Sequence, residues 1–100
     1  MRWYKPVPLS PLKVHTVPDV PGVYVLLRDE ADISSVMKIG PARSLRKMFE
    51  REVASPEKRP AARPAAMMYG ETWADAREAS RLIHEYRRKH GRAPALNSQF

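Results

Sequence analysis

The segment Gly22–Arg28, with the sequence GVYVLLR, leaves few folds open to this chain. Its β-branched and aromatic residues favour a β-strand. Both faces of that strand would be apolar, one with Val23, Val25 and Leu27 and the other with Tyr24 and Leu26. A strand of this kind is stable only when both sides of its sheet are covered. We therefore predict a strand that is buried on both sides.

A hairpin and a later strand complete the predicted sheet. The polar residues Asp29–Ser34 suffice to reverse the chain, and the short apolar run Ser35–Ile39 follows them. Met67–Glu71 provides another apolar run. The sequence therefore predicts a small, mostly antiparallel sheet of three strands.

Two helices are predicted to flank that sheet. Apolar residues at helical spacing mark Ser44–Val53, namely Leu45, Met48, Phe49 and Val53. Thr72–Asp75 fits a capping box at the head of a longer helix, which ends near His90 because Gly91 stops it. The side of this helix predicted to be buried carries Trp73, Ala76, Ala79, Ser80 and Ile83. The predicted fold class is therefore α+β.

Length and proline content predict how the chain is organised. A chain of 100 residues has room for one hydrophobic core. Half of the ten prolines lie within residues 1–21, so we expect residues 1–17 to form an extended arm on a domain of residues 18–100. Residues 1–16 are also candidates for binding a protein partner or a second copy of this chain.

The charge balance favours a polyanionic partner. Eighteen Lys and Arg residues against eleven Asp and Glu residues give a net charge of +7. We expect nucleic acid to be preferred over a membrane surface. The chain lacks an apolar run of the roughly 18 residues that cross a bilayer, and its first residues do not resemble a secretory signal. We therefore expect a cytoplasmic protein without membrane contact.

The sequence also excludes several kinds of catalytic or metal site. It has no cysteine, which rules out thiolate catalysis and a disulfide framework. His15, His84 and His90 are isolated from one another and form no ligand cluster. We therefore expect no zinc module and no bound cofactor.

Basic residues mark a candidate surface for phosphate contacts. Arg43, Lys47 and Arg51 recur every fourth residue, outside the apolar stripe of the first helix. The proline-rich segment 54–66 adds Lys58, Arg59 and Arg63. We predict that these six residues bind nucleic acid. A second stripe on the last helix, formed by Arg77, Arg81, His84 and Arg88, is interpreted as a solvated charged face.

Short motifs occur in a fixed order along these predicted elements. Pro21–Tyr24 lies on the first strand, Lys38–Gly40 ends the second, and Gly40–Leu45 leads into the first helix. Arg81–Ile83 lies on the last helix, and Pro94–Asn97 follows it. This order, over about residues 18–97, resembles the GIY-YIG nuclease superfamily. In particular, the chain looks like the small stand-alone bacterial members.

The resemblance implies a site built around one scissile phosphate and one divalent ion. The family places there two strand tyrosines, a basic residue, an arginine on the first helix and a glutamate on the later helix. Tyr24 keeps the first tyrosine, and Asn97 matches the family's structural asparagine. Lys38 occupies the second tyrosine position, and Pro41 occupies the basic position.

The two helix positions also lack the family's chemistry. The arginine position falls on Met48, with Arg46 nearby, and the glutamate position falls on Ala79, with Glu78 next to it. Because each residue turns a helix by about 100°, neither neighbour points where the family's side chain would. We predict a catalytically degenerate domain whose remnant candidates are Tyr24, Lys38, Arg46, Glu78 and Asn97.

Three functions are compatible with the sequence. The first is a nucleic-acid-binding module with a degenerate active site. The second is an active endonuclease with a rearranged site, dependent on Mg²⁺ or Mn²⁺, in which Glu78 would hold the metal. The third is a protein-interaction module that uses residues 1–16.

Overall fold

The computed structural model describes residues 1–54 and 63–97. Along these residues the strands are β1 (Arg2–Pro8), β2 (Gly22–Leu27), β3 (Val36–Ala42) and β4 (Ala66–Glu71). The helices are α1 (Leu45–Ala54) and α2 (Asp75–His90), and two short 3₁₀ segments span Pro11–Thr16 and Ala95–Asn97. None of the helices in this described part is long and apolar enough to cross a membrane.

The sheet has four strands in the order β1-β4-β2-β3, and every pairing is antiparallel. The α+β class is confirmed, but the prediction of three strands was wrong because the proline-rich start of the chain supplies β1. Tyr4 pairs with Tyr69, and the register shifts between Tyr4 and Val7. Proline lacks the N–H of a ladder hydrogen bond and is tolerated at edges and bulges, where Pro6 and Pro8 lie.

Two apolar layers cover the sheet, and β2 is buried along its whole length, as predicted. On one side, named the α1 face, Tyr24 and Leu26 pack with Val17, Ala42, Leu45, Phe49, Met67 and Tyr69. On the other side, named the α2 face, Val23, Val25 and Leu27 pack with Ile39 and Ala79. Neighbouring residues of β2 therefore lie in two different cores.

The start of α2 differs from the prediction. The helix begins at Asp75, and its end carries no side-chain cap. The Thr72 hydroxyl accepts a hydrogen bond from the Ala74 N–H at 3.1 Å instead of capping the helix. Trp73 therefore precedes the helix and is 81% exposed, so its predicted burial was wrong. Ala76 and Ser80, also predicted to be buried, are exposed, and the inward stripe runs through Asp75, Ala79, Leu82, Ile83 and Tyr86.

The end of α2 agrees with the prediction. Gly91 has a φ of +76°, and its N–H donates to the Arg87 carbonyl at 2.8 Å. Glycine adopts this left-handed conformation without the penalty that a Cβ would bring. The turn leads to the buried Pro94 and places the segment Ala95–Asn97 against β3.

Candidate nucleic-acid interface

The three cations predicted on the first helix lie on an exposed edge of the molecule. Lys47 and Arg51 are one turn apart on α1, Arg43 lies just before it, and all three are exposed. Leu45 and Phe49, on the same helix, are fully buried. Because this buried stripe fixes which side of α1 meets the core, the helix holds its cations toward solvent. We name Arg43, Lys47 and Arg51 the basic edge.

Local hydrogen bonds fix the start of α1. The Ser44 hydroxyl accepts from the Lys47 N–H at 3.2 Å, which is the usual arrangement of a capping serine. The Leu45 N–H donates to the Val20 carbonyl at 2.9 Å. The first turn of α1 is therefore hydrogen-bonded to the segment that leads into β2.

Arg43 also connects the starts of the two helices. Its Nη1 lies 3.0 Å from Oδ1 of Asp75, the first residue of α2. The Asp75 side chain is only 8% exposed, whereas that of Arg43 is 75% exposed. A carboxylate is favoured at a helix N-terminus, and an exposed partner adds about 0–1 kcal/mol. The pair positions Arg43 and leaves most of its guanidinium open to a ligand.

The other five predicted cations differ in whether the structure describes them. Within residues 1–54 and 63–97, neither Lys47 nor Arg51 forms an ion pair. Arg63 is exposed. Lys58 and Arg59 lie outside the described residues. The described structure therefore places three of the six predicted cations, those of the basic edge, in one exposed row.

Tyr24, the retained tyrosine, is a core residue. It is 3% exposed and belongs to the α1-face core. Its ring lies against Gly40, where an added Cβ would stand 2.6 Å from the Tyr24 hydroxyl oxygen. The Tyr24 ring leaves room only for a glycine at position 40. Packing therefore explains both Tyr24 and Gly40.

A row of tyrosines crosses the α1 face of the sheet. Tyr4 pairs with Tyr69, which pairs with Tyr24 on its other side, and the Tyr4 and Tyr69 rings stack with centroids 4.9 Å apart. Burial raises the pKa of Tyr69, and a hydrogen bond with Glu71 raises that of Tyr4. A general base works best with a pKa near the working pH, so these two phenols are poorly suited to that role.

Lys38, at the second tyrosine position, lies on the edge strand and is half-buried. It pairs with Leu26, whose side chain is in the α1-face core. Burial raises the pKa of Glu52 on α1, while the charges of Lys38 and Arg51 lower it. Lys38 therefore acts as a cation near a carboxyl of α1, with its stem beside the core.

Arg46 and Met48 have structural contacts. The Arg46 Nε donates to the Val17 carbonyl at 2.8 Å, and its Nη2 donates to the His15 carbonyl at 3.4 Å. These bonds hold the 3₁₀ segment against α1. Met48 packs against the α1-face core. Met48, at the position where the GIY-YIG family has an arginine, is thus apolar. The nearby Arg46 is bound to backbone oxygens.

Glu78 and Tyr24 belong to different sides of the sheet. Ala79, next to Glu78, is buried in the α2-face core, whereas Tyr24 is in the α1-face core. The Glu78 Oε1 accepts from Arg81 at 2.9 and 3.2 Å, and this hydrogen bonding lowers the pKa of Glu78. The structure does not bring Glu78 together with Tyr24.

A divalent ion, which the GIY-YIG resemblance implies, does not fit these residues. In the described part of the chain, no group of three or more His, Asp or Glu side chains could hold a metal ion. The two carboxylates at the start of α2 already have partners, since Asp75 binds Arg43 and Glu78 binds Arg81. Mg²⁺ can be held by one or two carboxylates together with waters and substrate phosphates, but both carboxylates here are already paired with arginines.

Asn97 closes the exposed side of β3. Its Oδ1 accepts from the Ile39 N–H at 2.8 Å, and its Nδ2 donates to the Ile39 carbonyl at 2.8 Å. The side-chain amide thus completes the ladder bonds of an edge strand, which would otherwise face solvent. The Asn97 side chain therefore has a structural contact at the edge of the sheet.

Trp73 is the surface residue that the sequence reasoning missed. It was placed in the core because Thr72–Asp75 was interpreted as a capping box, which extends the helix back over Trp73. Asp75 carried the contrary signal, since an acidic residue is typical of the first turn itself. Reading Asp75 as the first helical residue leaves Trp73 in the connection, where the structure shows it.

The comparisons with known proteins bear on the fold alone. Neither the protein-family models nor the curated proteins include a match to this chain. The chain is similar to the crystal structure of the GIY-YIG N-terminal endonuclease domain of UvrC from Thermotoga maritima, a point mutant bound to its catalytic divalent cation. The identity is 20% and the TM-score 0.55, over 84% of this chain and 90% of that chain. This chain therefore has a GIY-YIG-like fold.

Proposed function

We propose that this chain is a nucleic-acid-binding module on a GIY-YIG-like fold, with no nuclease activity of its own. The observation that carries the proposal is the basic edge, whose three cations are exposed along one side of α1. An endonuclease domain with the same fold acts on nucleic acid, which supports this class of ligand. The net charge of +7 supports it further.

The spacing of the basic edge suits a phosphate backbone. Lys47 and Arg51 are four residues apart, which places them about 6 Å apart along the helix axis. Arg43 continues the row toward α2. The predicted surface also includes Lys58, Arg59 and Arg63. Such contacts depend on charge and not on base sequence.

The contacts of the remnant residues argue for binding without cleavage. Tyr24 is buried, Arg46 is bound to carbonyl oxygens, and Glu78 is bound to Arg81. Each electrostatic group of an active site typically lowers the activation free energy by about 2.7–4 kcal/mol. A chain that lacks both the phosphate cation and the metal carboxylate in one place would lose most of its catalysis. The active-endonuclease alternative therefore has less support.

The arm alternative also has less support. Residues Arg2–Pro8 are a strand of the sheet, so their backbone bonds to β4 contribute to the fold. Removing them for a partner would break those bonds. A role for residues 1–16 in recognition would have to leave β1 paired with β4. It could then use only the outer edge of β1, where Pro6 and Pro8 lack the N–H groups for pairing, or exposed side chains such as Leu12.

Two assays on the full chain test the proposal. Fluorescence anisotropy with labelled single-stranded and duplex DNA and RNA, at increasing salt, measures binding. Three phosphate contacts predict a log-log salt slope of about −2.7 for duplex DNA. Incubation of supercoiled, linear and single-stranded DNA with Mg²⁺ or Mn²⁺ measures cleavage, which we expect to be absent. No measurable binding at low salt would contradict the proposal.

The cleavage assay needs two matched variants, Tyr24→Phe and Glu78→Gln. Cleavage by the wild type that disappears in both variants would establish an active site and overturn the non-nuclease part of the proposal. Cleavage that persists in both variants but separates from the protein on further purification would identify a contaminating nuclease, whereas cleavage that stays with the protein would overturn the non-nuclease part of the proposal.

A further inference from the structure

We infer that Trp73 is a stacking platform for an unpaired base, so that the ligand of the basic edge is a single strand or an unpaired end of nucleic acid. This inference rests on the proposed function and specifies its substrate class. It is carried by three observations: the exposure of Trp73, the fixed backbone around it, and the arginines near it.

The exposure of Trp73 is unusual for its residue type. The side chain is 81% exposed, the highest value among the exposed large apolar residues of the described chain. Tryptophan usually buries 150–250 Å² of surface, which makes it a large contributor to cores and interfaces. A tryptophan exposed to this extent offers a large apolar surface to a flat ligand.

The backbone around Trp73 is fixed by its neighbours. The Thr72 N–H donates to the Pro21 carbonyl at 3.2 Å, and the Ala74 N–H donates to the Thr72 hydroxyl at 3.1 Å. Asp75, two residues on, is buried and bound to Arg43. Trp73 thus projects from a connection that is bonded on both sides. A fixed platform loses less entropy on binding than a mobile one.

Two arginines lie near this platform. Two residues of extended chain span at most about 7 Å, so the backbone of Trp73 lies close to Asp75 and to the Arg43 that binds it. Arg77, four residues after Trp73, is exposed in the first turn of α2. Asp75 is paired with Arg43 and Glu78 with Arg81. The mostly exposed Arg43 side chain and Arg77 can therefore contact a phosphate near the indole.

The geometry favours an unpaired base over a duplex. In a duplex the flat faces of the bases are covered by their neighbours, so an indole can reach one only where the stack ends or is open. Proteins that bind single strands combine a cationic track with aromatic side chains on which the bases stack. The basic edge provides the track, and Trp73 lies at its Arg43 end.

Tryptophan fluorescence in a Trp3→Phe background tests the inference directly. The chain has two tryptophans, so this variant leaves Trp73 as the single indole reporter. We titrate it with a short oligothymidine and, at equal nucleotide concentration, with a relaxed, covalently closed circular duplex, which has no stack ends. Saturating oligothymidine is expected to quench Trp73, and the duplex is expected to leave its emission nearly unchanged. Bound oligothymidine with unchanged emission would overturn the inference.

Binding constants for Trp73→Ala and Trp73→Phe complete the test. Stacking on one base predicts that Trp73→Ala weakens oligothymidine binding about tenfold, and duplex binding less than twofold. Trp73→Phe is expected to restore part of the loss. Because the residue is exposed, circular dichroism should show unchanged folding in both variants. Equal losses for the two ligands would overturn the stacking platform while the proposed function stands. Absence of binding by the wild type to either ligand would overturn both.

Discussion

The remnant candidates of the GIY-YIG resemblance and the residues of the basic edge differ in what their polar groups already contact. Among the remnant candidates, Arg46 is bound to the Val17 carbonyl, Asn97 to the Ile39 backbone and Glu78 to Arg81. Along the basic edge Lys47 and Arg51 are exposed, and Arg43 is held in place while staying largely open. Groups that the protein itself satisfies contribute to stability, whereas exposed and positioned groups are available to a ligand.

The largest expected effect comes from a matched pair of aromatic substitutions. Tyr24→Ala removes a buried ring and should lower the free energy of unfolding by about 3–5 kcal/mol, as for other large aromatic side chains in cores. Trp73→Ala removes an exposed ring and should change it by less than about 0.5 kcal/mol. Urea denaturation followed by circular dichroism measures both. Similar losses in the two variants would contradict the distinction between the two groups of residues.

A smaller effect is expected at the edge of the sheet. Asn97→Ala removes two hydrogen bonds to Ile39 and should lower the free energy of unfolding by about 1–3 kcal/mol. Below its unfolding transition, the variant should bind nucleic acid as the wild type does. A loss of affinity without a loss of stability would show that Asn97 belongs to the binding site instead.

The smallest stability effects are expected from two glutamates whose pKa values move in opposite directions. Arg81 lowers the pKa of Glu78 in the folded state, so its contribution is present at neutral pH and is lost as pH falls through that lowered pKa. Burial raises the pKa of Glu52, so its charged form is unfavourable at neutral pH and the penalty disappears on acidification.

Glu78→Gln should therefore be less stable than the wild type at pH 7, and Glu52→Gln more stable. Both differences should vanish in acid, where the glutamates are neutral in the folded and unfolded chains. Urea midpoints across pH 3–7 measure this. Differences of the same sign for the two variants at pH 7 would contradict these pKa directions.

The sequence predicted the elements with strong periodicity. The buried β2 and the stripe of α1 were found as expected, because apolar spacing determines which side faces the core. β1 was missed because prolines made its run look irregular, and a strand with prolines is stable only when a partner such as β4 is present. Its pairing joins residues that are 58 to 69 positions apart in the chain, which no local pattern reveals.

The candidate site was predicted less completely. The exposure of Lys47 and Arg51 followed from helical spacing, but the Arg43–Asp75 contact joins residues that only the folded sheet brings together. Trp73 was assigned to the core because hydrophobicity alone does not distinguish a buried indole from an exposed one. The position at which α2 begins determines whether Trp73 is buried or exposed. Helix ends are the positions that sequence patterns define least specifically.

The most direct test of the account is a comparison of two double charge reversals. Lys47→Glu with Arg51→Glu alters the basic edge, and Arg87→Glu with Arg88→Glu makes the same charge change at the other end of α2, where both arginines are exposed. Anisotropy with labelled single-stranded DNA and circular dichroism are measured for each. We expect the first pair to weaken binding at least tenfold and to make the salt dependence shallower, and the second to weaken it about threefold or less. Equal weakening by both pairs would contradict the account, because it would mean that net charge, and not the basic edge, determines binding.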